Sequence, residues 1–165
     1  MPMIQALISG GQTGADRAAL DWAIFRRIPR SGWCPKGRKA EDGTLDTRYN
    51  LKESPSANYL QRTEWNARDS DGTVIFSIAP MLTGGSLKTQ VFATKHKKPC
   101  AHIHAGLYAP EAALLRFIAA HGIKSLNVAG PRGSKEPGVY DFVIRVLDGA
   151  FFPQSTSILA GPDEG

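Results

Sequence analysis

The sequence predicts a three-layer α/β sandwich, a mainly parallel sheet with helices on both faces. Three observations predict it. Apolar runs of strand length alternate with segments of helical period, which is the pattern of repeated βαβ units. At three places a glycine-rich turn joins such a run to a helix. At 165 residues and 42% hydrophobic, the chain can bury one sizeable core. Residues 1–150 are therefore expected to form one domain and residues 151–165 a C-terminal tail, either frayed or involved in subunit contact.

Taken in order, the first strand is expected at residues 4–8, an apolar run that ends in SGGQTGADR at residues 9–17. The turn opens a helix over residues 14–27. Residues 29–55 are rich in Pro, Gly, Asp and Arg and show no sustained period. They read as a long loop with one short strand at 31–34, and loops of this length in compact domains are usually functional. A helix over 56–68 leads into the strand at 73–78. A helix at 85–97 follows, with Leu87, Val91 and Phe92 spaced to face the sheet. The strand at 100–103, the helix at 110–121 (apolar at Ala113, Leu114, Phe117 and Ile118), the strand at 125–129 and the helix at 137–147 complete the alternation.

The glycine turns carry the functional argument. A helix N-terminus holds unsatisfied N–H groups and the positive end of the helix dipole, and glycine lets an anion approach the backbone closely. Gly10, Gly11, Gln12, Thr13 and Gly14 form the first such turn. Asp16 follows in the first helical turn and offers a carboxylate to a hydroxyl or metal, while Arg17 is either a phosphate partner or an exposed helical arginine. Thr83, Gly84, Gly85 and Ser86 form the second turn, after the most apolar strand. Gly130, Pro131 and Arg132 begin the third, where Arg132 and Lys135 add positive charge. In an open parallel sheet all three lie at the C-terminal ends of strands and can converge on one crevice at a switch point. Tyr59, Thr63 and Asn66 share one face of the 56–68 helix, which either contacts ligand or is solvated. The ligand expected is small, anionic and phosphorylated.

Several classes are disfavoured. No Walker A sequence and no full GxGxxG fingerprint occurs, and no serine sits in a GxSxG elbow. His102 and His104 share a strand face but have no adjacent third ligand, so no metal site is assigned. Cys34 and Cys100 are too few for a disulfide framework and are read as structural thiols. The 20 basic and 15 acidic residues give a formal charge of +5, which fits an anionic ligand. Nucleic-acid binding would need a continuous basic face and is not expected. No run approaches the roughly 20 apolar residues of a membrane span, and no signal-peptide pattern opens the chain. A cytoplasmic location is the expectation.

The segments ISGGQTGADRAALDWA, GWCPKGRKAEDG, YLQRTEWNARDSDGTVIF, TGGSLKT and AGPRGSKEPGVY together resemble the molybdenum-cofactor carrier proteins. These belong to the SLOG superfamily of Rossmann-like domains, which also includes the lysine-decarboxylase-like nucleotide phosphoribohydrolases. The resemblance spans residues 4 to about 148. It implies a Rossmann-like sandwich whose three glycine loops hold a nucleotide-like ligand or the molybdenum cofactor (molybdopterin), commonly in a homo-oligomer, dimer or tetramer. It assigns no catalytic residue. The hydrolase relatives resemble a PGGxGTxxE pattern, whereas here the diglycine runs into Ser86-Leu87-Lys88-Thr89-Gln90 with no acid. A non-catalytic carrier is thus the leading expectation. The alternative is a phosphoribohydrolase-like enzyme with Asp16, Asp42 or Glu41 as base and Arg132 on the phosphate.

Overall fold

The computed structural model describes residues 3–154. The core is a five-stranded parallel sheet in the order β2-β1-β9-β7-β8. Its strands are β1 (Ala6–Ile8), β2 (Arg30–Ser31), β7 (Gly72–Ser77), β8 (Cys100–His104) and β9 (Ser125–Ala129). Helices α1 (Ala15–Arg26), α4 (Pro110–His121) and α5 (Val139–Phe151) pack together on one face, and α2 (Tyr59–Arg68) with α3 (Gly84–Lys95) on the other. β7 is buried at every residue, as a central parallel strand covered on both faces must be. No helix among the described residues is long and apolar enough to cross a membrane.

Strand order reveals a rearrangement. Counted from β9 rather than β1, the sheet reads 3-2-1-4-5, the order of a dinucleotide-binding fold. The unit β9–α5 thus holds the place of the first strand and helix, although it comes last in the chain. The switch point falls between β9 and β7, so their following loops flank the crevice such a sheet leaves open.

The 29–55 segment is more ordered than the expected loop. It holds β2 at the sheet edge, then β3 (Trp33–Cys34), β4 (Lys39–Ala40), β5 (Gly43–Thr44), a short 3₁₀ turn at Thr47–Tyr49, and β6 (Lys52–Glu53). β3 pairs with β6, and β4 with β5. Strands of two residues show no period, which is why the composition reads as loop.

The remaining boundaries shift for local reasons. α2 begins three residues later than expected because Asn58 caps it, accepting from the Leu60 N–H at 2.9 Å. α5 starts at Val139 rather than Pro137 and continues through Phe151, whose ring stacks at 5.6 Å on the buried Trp22 of α1. The Trp22 indole donates to Asp148 at 3.1 Å, and Arg26 grips the same carboxylate at 2.7 and 2.9 Å, clamping α1 to α5. The rest of the expected tail, residues 155–165, lies outside the described residues.

One expectation fails. α3 does not turn Leu87 and Val91 towards the sheet: both are about half exposed, and the buried face is Ser86, Thr89 and Ala93. Small side chains there let the helix N-terminus sit close over the ends of the strands.

Candidate functional site

The loops after β1, β7 and β9 meet at the C-terminal edge of the sheet around a crevice of about 330 Å³. Gly10, Gln12 and Asp16 reach it from the first loop, Gly84, Gly85 and Ser86 from the second, and Gly130, Pro131 and Arg132 from the third. α2 closes the opposite wall with Tyr59, Arg62, Thr63 and Asn66. Lys135 joins Arg132 at the rim, and Asn127 and Thr89 line the interior.

The two helix N-termini facing this region differ in what they can offer. At α1 four of the donors are already used, and the Asp16 carboxylate stands in the same first turn. The Gln12 N–H donates to the Asp16 carboxylate (3.3 Å), that of Thr13 to the Gln12 side-chain oxygen (3.0 Å), that of Ala15 to the Pro131 carbonyl (3.3 Å) and that of Arg17 to the Gln12 carbonyl (2.9 Å). At α3 the amides of Gly84, Gly85 and Ser86 donate to no protein group among the described residues, and the Thr83 side chain makes no capping bond. The end of the crevice with the most open donors is therefore α3, with its dipole and three N–H groups.

Other residues expected in the site build its walls. Gly14 lies against the backbone of Pro131–Gly133 at φ 80°, locking the first loop to the third. Thr13 accepts from the Gly133 N–H at 3.0 Å and donates to Glu41. Arg17 reaches the Gly11 carbonyl at 3.1 Å and pairs with Asp42 at 2.9 and 3.1 Å, so its charge is spent within the protein. Gly11 sits beneath Leu45 and Leu51. Thr83 accepts from the Lys135 ammonium at 2.6 Å. Glu136 completes the frame by accepting from the Ile78 and Ala79 N–H groups at 2.8 and 2.9 Å, which joins the β9 loop to the end of β7.

Arg62 is the charged residue that sequence reasoning passed over. It is buried, donates to the Gly10 carbonyl at 2.5 Å, and lies on the crevice face of α2 with Tyr59, Thr63 and Asn66. Asp69, which falls only loosely on that face, instead pairs with Arg68 and accepts from the Trp33 indole. The i, i+4 relation of Arg62 to Asn66 was visible beforehand. A polar Asn127 within an otherwise apolar strand was a second signal.

Among the described residues, Asp16 is the one carboxylate lining the crevice. Burial raises its pKa to about 6, against the opposing pull of Arg62, the Gln12 N–H and Arg17. Glu41 and Asp42 lie outside the crevice, and both are held below the ordinary carboxylate range, Glu41 mainly by Ser134 and Thr13, Asp42 mainly by Arg17. α3 carries no acid, and Gln90 is exposed while its neighbour Thr89 faces inward. His102 meets Ser77 at 2.6 Å, and burial lowers its pKa. Burial raises the thiol of Cys34 and pushes that of Cys100 to about 11, so neither is a ready nucleophile at neutral pH. Among the described residues no three His, Cys, Asp or Glu side chains are grouped to hold a metal.

Strand order, open crevice and uncapped α3 define the class: a Rossmann-like domain with its first unit transposed to the C-terminal side. The chain belongs to the circularly permutated YpsA SLOG family, whose model matches residues 7–151. It is also similar to the crystal structure of a protein from Syntrophus aciditrophicus SB, described there as a proposed molybdenum carrier protein. That likeness has 48% sequence identity and a TM-score of 0.87, and it covers 91% of this chain and 96% of the other. No curated protein matches the chain.

Proposed function

We propose that the chain holds a phosphorylated, nucleotide-like or pterin-like small molecule in the crevice without turning it over, and that the molybdenum cofactor is the cargo. The observation that carries the reading is the three free amides of α3 facing the same 330 Å³ crevice as Arg62, Arg132 and Lys135. Such a volume lies at the small end of small-molecule sites and suits a ligand of mononucleotide size. The phosphate would rest on the α3 amides under Arg132 and Lys135, while Tyr59 of α2 offers an aromatic face to a planar ring. The choice of cargo is supported by the 48% identical Syntrophus protein. A dimer or tetramer is proposed with it, and the exposed Leu87 and Val91 of α3 offer apolar surface for such a contact.

Calorimetric titration with pyrophosphate, AMP and molybdopterin tests this reading. Arg132→Ala and Lys135→Ala are each expected to weaken phosphate binding about tenfold or more, as loss of a charge-assisted hydrogen bond does. Absence of binding by all three probes, or variants that bind as the parent does, would reject it. Asp16 favours a second reading as a hydrolase, because a buried carboxyl titrating near 6 suits acid–base chemistry. Release of free base from a nucleoside monophosphate, lost in Asp16→Asn, would establish that reading instead.

A further inference from the structure

Residues 39–44 form a hairpin with two carboxylates at its tip. β4 and β5 pair Lys39 with Thr44 and Ala40 with Gly43, leaving Glu41 and Asp42 as the two loop residues. Both are docked. Asp42 takes the Arg17 guanidinium at 2.9 and 3.1 Å. Glu41 enters a set of donors drawn from two ligand loops. The Ser134 N–H donates to one carboxylate oxygen at 3.0 Å and the Ser134 hydroxyl to the other at 2.6 Å. The Thr13 hydroxyl donates to the first oxygen as well, and the Arg132 guanidinium stands 3.6 Å from the second. The Glu41 N–H is itself tied to the Gln12 side-chain oxygen at 2.9 Å.

A backbone amide, two hydroxyls and a guanidinium around one anionic group are the donor set of an oxyanion site. Here a carboxylate of the same chain fills it. The contact is partly open to solvent, since the Glu41 side chain is 28% exposed and that of Arg132 60%. Arg132 also lines the crevice, so the set adjoins the ligand site and shares a charge with it. Glu41 and a phosphate on Arg132 would repel one another, and only one can use the guanidinium at full strength.

We propose that Thr13, Ser134 and Arg132 form an anion subsite beside the crevice, which Glu41 occupies as an internal stand-in and which a phosphate group takes over by displacing the hairpin tip. The inference rests on the reading of the crevice as a phosphate site and adds where a dianionic phosphate goes and what it must compete with. The hairpin is then a latch across the first and third loops, released by ligand.

Calorimetric titration of the parent protein, Glu41→Gln and Glu41→Ala with inorganic phosphate and with AMP tests it. Both variants are expected to bind about tenfold more tightly than the parent. A gain with both probes assigns the subsite to any phosphate, and a gain with AMP alone assigns it to a phosphate ester. A parent that binds while both variants bind no better overturns the latch and leaves the crevice reading standing. Parent and variants that all fail to bind overturn both. Hydrogen exchange of the parent gives a second measurement that needs no variant: the amides of residues 39–44 are expected to exchange faster when phosphate is saturating. Exchange that is unchanged or slower overturns the displacement.

Discussion

Gly14→Ala is expected to destabilise the protein by about 3–5 kcal/mol, by the combined cost of a disallowed backbone and an overpacked contact. A Cβ at this position would stand 2.5 Å from the Pro131 carbonyl oxygen, 2.7 Å from the Gly133 nitrogen and 2.8 Å from the Arg132 carbonyl carbon. All three are backbone atoms, which cannot swing aside as a side-chain tip can. The residue also has φ 80° and ψ −126°, a region closed to alanine. For a chain of this size the loss corresponds to a fall in melting temperature of roughly 10 °C or more. Gly122→Ala is the control: it has φ 59° but nothing within 4 Å, and only about 1 kcal/mol is expected there. Denaturant unfolding of the two variants side by side checks the difference. Equal losses would show that the close approach of the first loop to the third is not what Gly14 secures. The same substitution should weaken phosphate binding, because Arg132 sits at the point of contact.

Gly14 also shows what a sequence read segment by segment conceals. Its glycine-rich turn was legible, and so were the four longer strands, the five helices and the alternation that makes a parallel sheet. The partner of that turn was not. The α1 N-terminus reads as an open anion cradle until the Pro131 carbonyl is seen to accept from Ala15, 3.3 Å away and more than 100 residues along the chain. Strand order was equally hidden. Periodicity identifies β9 as a strand but says nothing of its place between β1 and β7, which pairing across the whole chain decides. The misplaced face of α3 has a different cause. Leu87 and Val91 follow a helical period, yet the interior at that point accepts only Ser86, Thr89 and Ala93, so packing overrode the pattern. Arg62 was missed because an arginine on a helix is usually solvated, and its bond to Gly10 spans 52 residues.

Asp16→Asn is expected to stabilise the protein at neutral pH by about 3 kcal/mol and to leave its stability near pH 4 almost unchanged. The ordinary value of this carboxyl is 3.8, and burial raises it to about 6 in the folded protein. Between those two values the folded chain binds more protons than the unfolded one, so stability falls as pH rises through that window and the loss is complete above it. The shift is worth about 3 kcal/mol, the net of the cost of ionising a carboxyl in a poorly hydrated place and the smaller opposing pull of Arg62, the Gln12 N–H and Arg17. Asparagine fits the same space, can still accept from the Gln12 N–H, and never ionises, so it escapes the cost. Thermal unfolding at pH 4 and pH 7.5 measures the effect, which should appear as a gain of roughly 10 °C in melting temperature at the higher pH alone. A gain of equal size at both values would show that Asp16 does not titrate in this window. The ionised carboxylate also faces the crevice that Arg62, Arg132 and Lys135 line, so Asp16→Asn should tighten phosphate binding at pH 7.5 while the parent weakens above pH 6. The fraction of phosphate present as dianion rises over the same range, and only the difference between parent and variant isolates the carboxylate. Keeping an acid that costs this much at neutral pH is a trade that the second reading, acid–base chemistry at Asp16, would explain.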